Sequence, residues 1–133
     1  MTLIAALLVF AVLSLVLMLT YVGYRTSSVF FAGKRADSWT RGSDTPVPGF
    51  FQRAQHAHLN VVENLPVLGA IAIAAVALGR TAALDPLAPW LVLARLAQTT
   101  THLIGVSHVL VTVRAAFYTV QVVLFFAMIA RLL

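Results

Sequence analysis

Residues 2–24 contain no charged side chain, an apolar run about as long as a helix needs to cross a hydrocarbon core of roughly 30 Å. This run determines the solvent in which the chain folds. No basic residue precedes it, and it exceeds the roughly 7–15 residues of a signal-peptide core, so it is expected to remain as a first helix. The rest of the 133 residues agree: 61% are hydrophobic and 10% charged, against about a quarter charged in a soluble domain. There is too little polar surface to cover a water-facing core. An integral membrane protein is therefore expected. The absence of cysteine excludes disulfides, thiolate metal sites and cysteine nucleophiles. The net charge of +5 is scattered over helix ends and spans, so no nucleic-acid partner is expected.

Three more apolar segments follow, and the reading is an all-α, antiparallel four-helix membrane bundle forming a single domain over residues 1–133. Its helices are expected at about residues 2–25, 50–79, 87–106 and 113–132. Residues 25–49 gather Lys34, Arg35, Asp37, Arg41, Gly42, Ser43, Asp44, Pro46, Pro48 and Gly49, breakers and charges that predict an exposed loop. A short turn with an Asp-Pro pair is expected at 80–86. Pro66 is expected to kink the second helix by freeing the carbonyl of Val62. Tyr24, Trp39 and Trp90 fall near expected membrane interfaces. Arg25, Lys34, Arg35, Arg41 and Arg53 surround the first loop, whereas Arg80 alone marks the second. This bias puts loops one and three in the cytoplasm and both termini outside, with Arg131 as an exception.

The stretch "QRAQHAHLNVVENLP" sets polar groups at the mouth of an apolar segment, where each is costly without a partner or a task. On a helix, Gln52, Arg53, His56, Asn60 and Glu63 fall within an arc of about 100°. In the third helix, Arg95, Gln98, Thr99 and His102 share a similar arc, and Arg114, Tyr118 and Gln121 line a stripe on the fourth. Ser14, Tyr21, Tyr24 and Arg25 share a face of the first. Arg25, Arg53 and Arg114 have an alternative role as snorkelling or capping residues at span ends. Glu63 and Arg95 lie deeper. They form either an ion pair joining helices two and three or part of a site. His58 and His108 are expected to serve packing or the interface.

This pattern resembles the MAPEG family, the membrane-associated proteins in eicosanoid and glutathione metabolism. Arg53, Ala57, His58, Asn60 and Glu63 are similar to the family's second-helix signature, and Arg114 with Tyr118 in "RAAFY" resembles its fourth-helix Arg and Tyr. Arg25 and Arg95 lie near the family's arginines of helices one and three. The resemblance spans essentially the whole chain and implies a homotrimer binding glutathione between subunits near the cytoplasmic face. It implies carboxylate contacts from Arg25, Arg53 and Arg95, an ammonium contact from Glu63, and peptide contacts from Asn60 and Tyr118. His56, Gln98 and His102 complete the expected binding set. Arg114 is implied as the catalytic residue that stabilises the thiolate. The sequence departs from the better-known glutathione users in having His56 and Leu59 in place of arginines. Gln98 and His102 replace a His and a Tyr, and Ala115 replaces the serine of the prostaglandin-synthase branch.

The implied function is a glutathione-dependent transferase or peroxidase acting on lipophilic electrophiles or lipid hydroperoxides, in a bacterial-type member of the inner membrane. A non-enzymatic lipid-binding or scaffold protein of the same fold is the alternative. A haem protein, with His56 or His58 opposite His102 or His108, is a remote third. A multidrug-type exporter is disfavoured, since the intramembrane acid lies in the second span.

Overall fold

The computed structural model describes residues 1–40 and 45–133. Arg41, counted above among the basic residues of the first loop, lies outside them, as do Gly42, Ser43 and Asp44. The elements are α1 (Leu3–Ala32), a 3-10 turn (Ala36–Trp39), α2 (Gly49–Ala77), the single-turn α3 (Thr81–Leu84), α4 (Ala88–Ile104) and α5 (His108–Leu132). No strand occurs among the described residues.

Local chemistry sets the helix ends. The Thr2 hydroxyl accepts the N–H of Ala5 at the start of α1, and Gly33, at φ 63°, ends the helix in the left-handed conformation. The first glycine after Arg25 is Gly33, and α1 continues past the expected stop at Arg25 to reach it. Its 30 residues span about 45 Å at roughly 1.5 Å each, more than the hydrocarbon thickness. Ser107 caps α5 through the N–H of Leu110, so this helix begins before the expected residue 113. Pro66 is accommodated within a continuous α2. The expected turn at 80–86 contains α3.

Among the described residues, three helices are long and apolar enough to cross a membrane: α1, α2 and α5. The remaining long helix, α4, has 17 residues, or about 26 Å by the usual rise. Its buried face carries Arg95, Gln98, Thr99, Thr101 and His102, so this helix is polar where it meets its neighbours.

α1 packs chiefly on α2, and α4 on α5. Leu3, Ala6, Phe10, Ser14 and Leu17 are buried on α1, and Ala54, Ala57, Val61 and Leu68 on α2. Lipid provides no hydrophobic drive between helices, so small side chains that allow close approach contribute through dispersion. His58 Nδ1 donates to the Ser14 carbonyl at 3.0 Å, which makes the packing role expected for His58 an interhelical hydrogen bond. Near the first loop, Tyr24 stacks on Phe51 with ring centroids 4.4 Å apart. In that loop Arg35 donates to both oxygens of Asp37 and holds the carboxyl below its usual pKa. Any support from this exposed pair is present above the ordinary carboxyl pKa and lost as pH falls through the lowered one.

At the opposite end, side chains satisfy the backbone groups that helix termini leave unpaired. Asp85 Oδ1 accepts the N–H of Leu3 at 2.8 Å. Arg80 Nη1 donates to the Leu132 carbonyl at 2.7 Å, and Arg131 Nη1 to the Ala83 carbonyl at 2.9 Å. Arg131, an exception to the charge bias, therefore has a structural role. Asp85→Ala should lower the melting temperature in detergent, costing about 1 kcal/mol as loss of a helix cap does. Asp85→Asn should retain most of it. Identical melting of Asp85→Ala and wild type, followed by circular dichroism, would contradict the capping role.

Candidate functional site

α2 and α4 meet α5 around a cleft of about 240 Å³. Asn60 and Glu63 line it from α2, Gln98 from α4, and Val111, Arg114, Ala115 and Tyr118 from α5. The spacing explains the convergence. Asn60 and Glu63 are three apart, whereas Val111, Arg114, Ala115 and Tyr118 stand at i, i+3, i+4 and i+7, so each set shares one helix face.

The cleft opens on the outside of the protomer, where Glu63 and Tyr118 are exposed. Glu63 and Arg114 carry opposite charge on its wall, and neither forms a hydrogen bond or ion pair with a described residue. Beside the cleft, Asn60 Nδ2 lies 3.4 Å from His102 Nδ1, and the His102 and His56 rings are 6.3 Å apart. Arg53 Nε donates to the Leu103 carbonyl at 2.9 Å, which ties α2 to the end of α4. His56 and His102 are thus neighbours; His58 instead faces α1.

Two arginines of the expected clamp lie elsewhere. Arg25 is on the α1 side of α2, where its Nη2 donates to Gln55 Oε1 at 2.9 Å and its guanidinium sits 5.2 Å from the Tyr21 ring centroid. Arg95 is 1% exposed and buried inside the protomer, with its guanidinium 5.2 Å from the Phe10 ring centroid. Its Nε and Nη2 have no protein partner. Of the two alternatives for Glu63 and Arg95, the ion pair is not formed: among the described residues the pair within 4 Å is Arg35–Asp37. The physical reason is rotation, since Arg95 turns toward α1 and Glu63 toward the outside.

Val111 and Ala115 were not among the expected site residues. Val111 carries no signal except its spacing from Arg114, and Ala115 was noted only as a departure from the family's serine. Gln121, which is on the Arg114 stripe, is fully buried and donates from Nε2 to Gln98 Oε1 at 2.9 Å and to the Phe117 carbonyl at 3.1 Å.

Three helices, α2, α4 and α5, thus set a carboxylate and a guanidinium around an outward-facing cleft. The chain is a member of the MAPEG family, whose model matches residues 2–133. No curated protein and no solved structure matches it.

For Arg95, the two unpaired nitrogens cost roughly 1–3 kcal/mol each, and a cation–π contact returns about 2 kcal/mol at most. The cost prevails. Arg95→Met should therefore leave the melting temperature unchanged or raise it. A fall of about 4 °C, on the order of 1 kcal/mol for a chain of this size, would contradict this accounting.

Proposed function

We propose that the chain is a glutathione-dependent membrane transferase or peroxidase that binds glutathione in the α2–α4–α5 cleft. The observation that carries this reading is the unpaired Glu63 and Arg114 lining one cleft. In a span each charge is expensive alone, and a zwitterionic peptide with carboxylates, an ammonium and a thiol offsets both. Asn60 and Tyr118 add hydrogen-bonding groups to the same lining.

The cleft of about 240 Å³ is smaller than the roughly 300–1,000 Å³ of pockets that enclose a drug-sized ligand. A neighbouring subunit supplies the missing wall in the homotrimer that the family resemblance implies, and Arg25 acts in this reading from such a neighbour. The four long helices then form a four-span bundle, with α4 as the shortest span. In this reading the α1–α2 and α4–α5 connections are cytoplasmic and the membrane is a bacterial inner membrane; the bias of basic residues toward the first loop supports the orientation.

Arg114 is the catalytic residue in this reading. A cation beside sulfur stabilises thiolate over thiol, whose ordinary pKa is about 8.5. The thiolate forms a carbon–sulfur bond with a lipophilic electrophile as the leaving group departs with its electron pair. With a lipid hydroperoxide, sulfur attacks the O–O bond; the lipid alcohol leaves, and a second glutathione converts the sulfenic acid to disulfide and water. Both substrates reach the cleft from the bilayer, past Val111 and Ala115.

Calorimetric titration of glutathione into the detergent-purified protein tests the binding step, and thiolate absorbance near 240 nm tests the activation. Wild type should show both. Arg114→Ala should abolish the absorbance and reduce conjugation about tenfold for each 1.4 kcal/mol of transition-state stabilisation lost, with a smaller fall in affinity. Arg114→Lys should retain part of the signal. Glu63→Ala should weaken binding more than it affects the thiolate of the bound fraction. Wild-type protein that binds no glutathione would overturn the reading in favour of a lipid-binding or scaffold role.

A further inference from the structure

We propose that Gln121 is a positioning residue that sets the Gln98 amide as a hydrogen-bond donor at the deep end of the cleft, where it receives a ligand carboxylate. This rests on the glutathione reading for the ligand's identity, but the orientation follows from the protein's own contacts. The Phe117 carbonyl can only accept, so the Gln121 atom 3.1 Å from it is the nitrogen. The same nitrogen then directs its other proton to Gln98 Oε1, 2.9 Å away. With its oxygen committed to Gln121, Gln98 has its NH₂ group left for the cleft that it lines.

Burial makes this orientation persistent. Gln121 is 0% and Gln98 5% exposed, so no solvent competes for these amides. Turning Gln121 over would set its oxygen against the carbonyl oxygens of both Phe117 and Gln98, two repulsive contacts in place of two hydrogen bonds. In the observed orientation the only cost is Gln121 Oε1, which has no partner.

Depth identifies what meets the donor. The contacts of Arg53 with Leu103 and of Asn60 with His102 set the α2–α4 register and bring Glu63 opposite the turn of α4 that contains Gln98. Arg114 is seven residues from Gln121 on the same face of α5, about 10 Å nearer the α4–α5 connection. The deep end therefore pairs a carboxylate with an amide donor, and the outer end has the guanidinium. An amino-acid terminus, ammonium and carboxylate on one carbon, satisfies Glu63 and Gln98 together. The thiol of the same ligand is left toward Arg114.

The test compares glutathione with its analogue lacking the α-carboxylate of the γ-glutamyl group, 4-aminobutyryl-cysteinyl-glycine, by calorimetry. Wild type should prefer glutathione by about tenfold, the usual value of a hydrogen bond to a charged group. Gln121→Met should remove that preference by weakening glutathione alone. Gln98→Leu should do the same, and the double variant should lose no more than either single one. A structural role would weaken both ligands equally, and that result overturns the proposal. A ligand-free measurement separates this from failure of the glutathione reading: in glutamine-¹⁵N-labelled protein, Gln121→Met should shift and broaden the Gln98 side-chain amide resonances. If wild type binds neither peptide, the glutathione reading falls; unchanged Gln98 resonances would overturn the positioning role whatever binds.

Discussion

Hydrocarbon offers a polar side chain no hydrogen-bond partner, so every charged or amide group in these spans must be paired by the protein or by something that joins it. Most are paired within the protomer. His58 closes on Ser14, Arg25 on Gln55, Arg53 on the Leu103 carbonyl, and Gln121 on Gln98 and Phe117. The helix ends opposite the first loop are tied by Asp85, Arg80 and Arg131. Against this background the unpaired charges of Glu63 and Arg114 stand out, because they line the same cleft and that cleft faces outward.

Among the described residues of the spans, Arg95 also lacks a charged partner, and it shows why position within a span does not by itself define a ligand contact. It lies under Phe10, away from the cleft lining. The expected clamp of three arginines is therefore distributed differently in one protomer: Arg53 braces α4, Arg25 faces α1, and Arg95 is internal. The charges left at the cleft are the Glu63–Arg114 set. On the proposed reading the remaining carboxylate contacts come from Gln98 and from a neighbouring subunit.

Much of this was legible in the sequence, for identifiable reasons. The uncharged run of residues 2–24 leaves only a membrane helix, and the period of Asn60 and Glu63, or of Arg114 and Tyr118, puts each pair on one face. How each face is rotated toward its neighbours was not legible. Periodicity groups Arg95 with Gln98 and His102, but Gln98 reaches the cleft and Arg95 turns to α1. Helix ends were also displaced, because Gly33 and Ser107 cap at positions that hydropathy does not mark. The Asp85–Leu3 contact joins residues 82 apart, a pairing set by packing and invisible to any local pattern.

The central claim is that the cleft is where the peptide ligand sits, and the absence of native cysteine permits a direct measurement. Ala115 lines the cleft, whereas Ser27 is exposed on α1. Single variants Ala115→Cys and Ser27→Cys would be labelled with a maleimide in the presence of increasing S-methylglutathione, which has no free thiol to consume the reagent. The account predicts saturable protection of the cysteine at position 115 and none at position 27. Equal labelling rates at position 115 with and without the peptide, in protein shown by calorimetry to bind it, would place the ligand elsewhere.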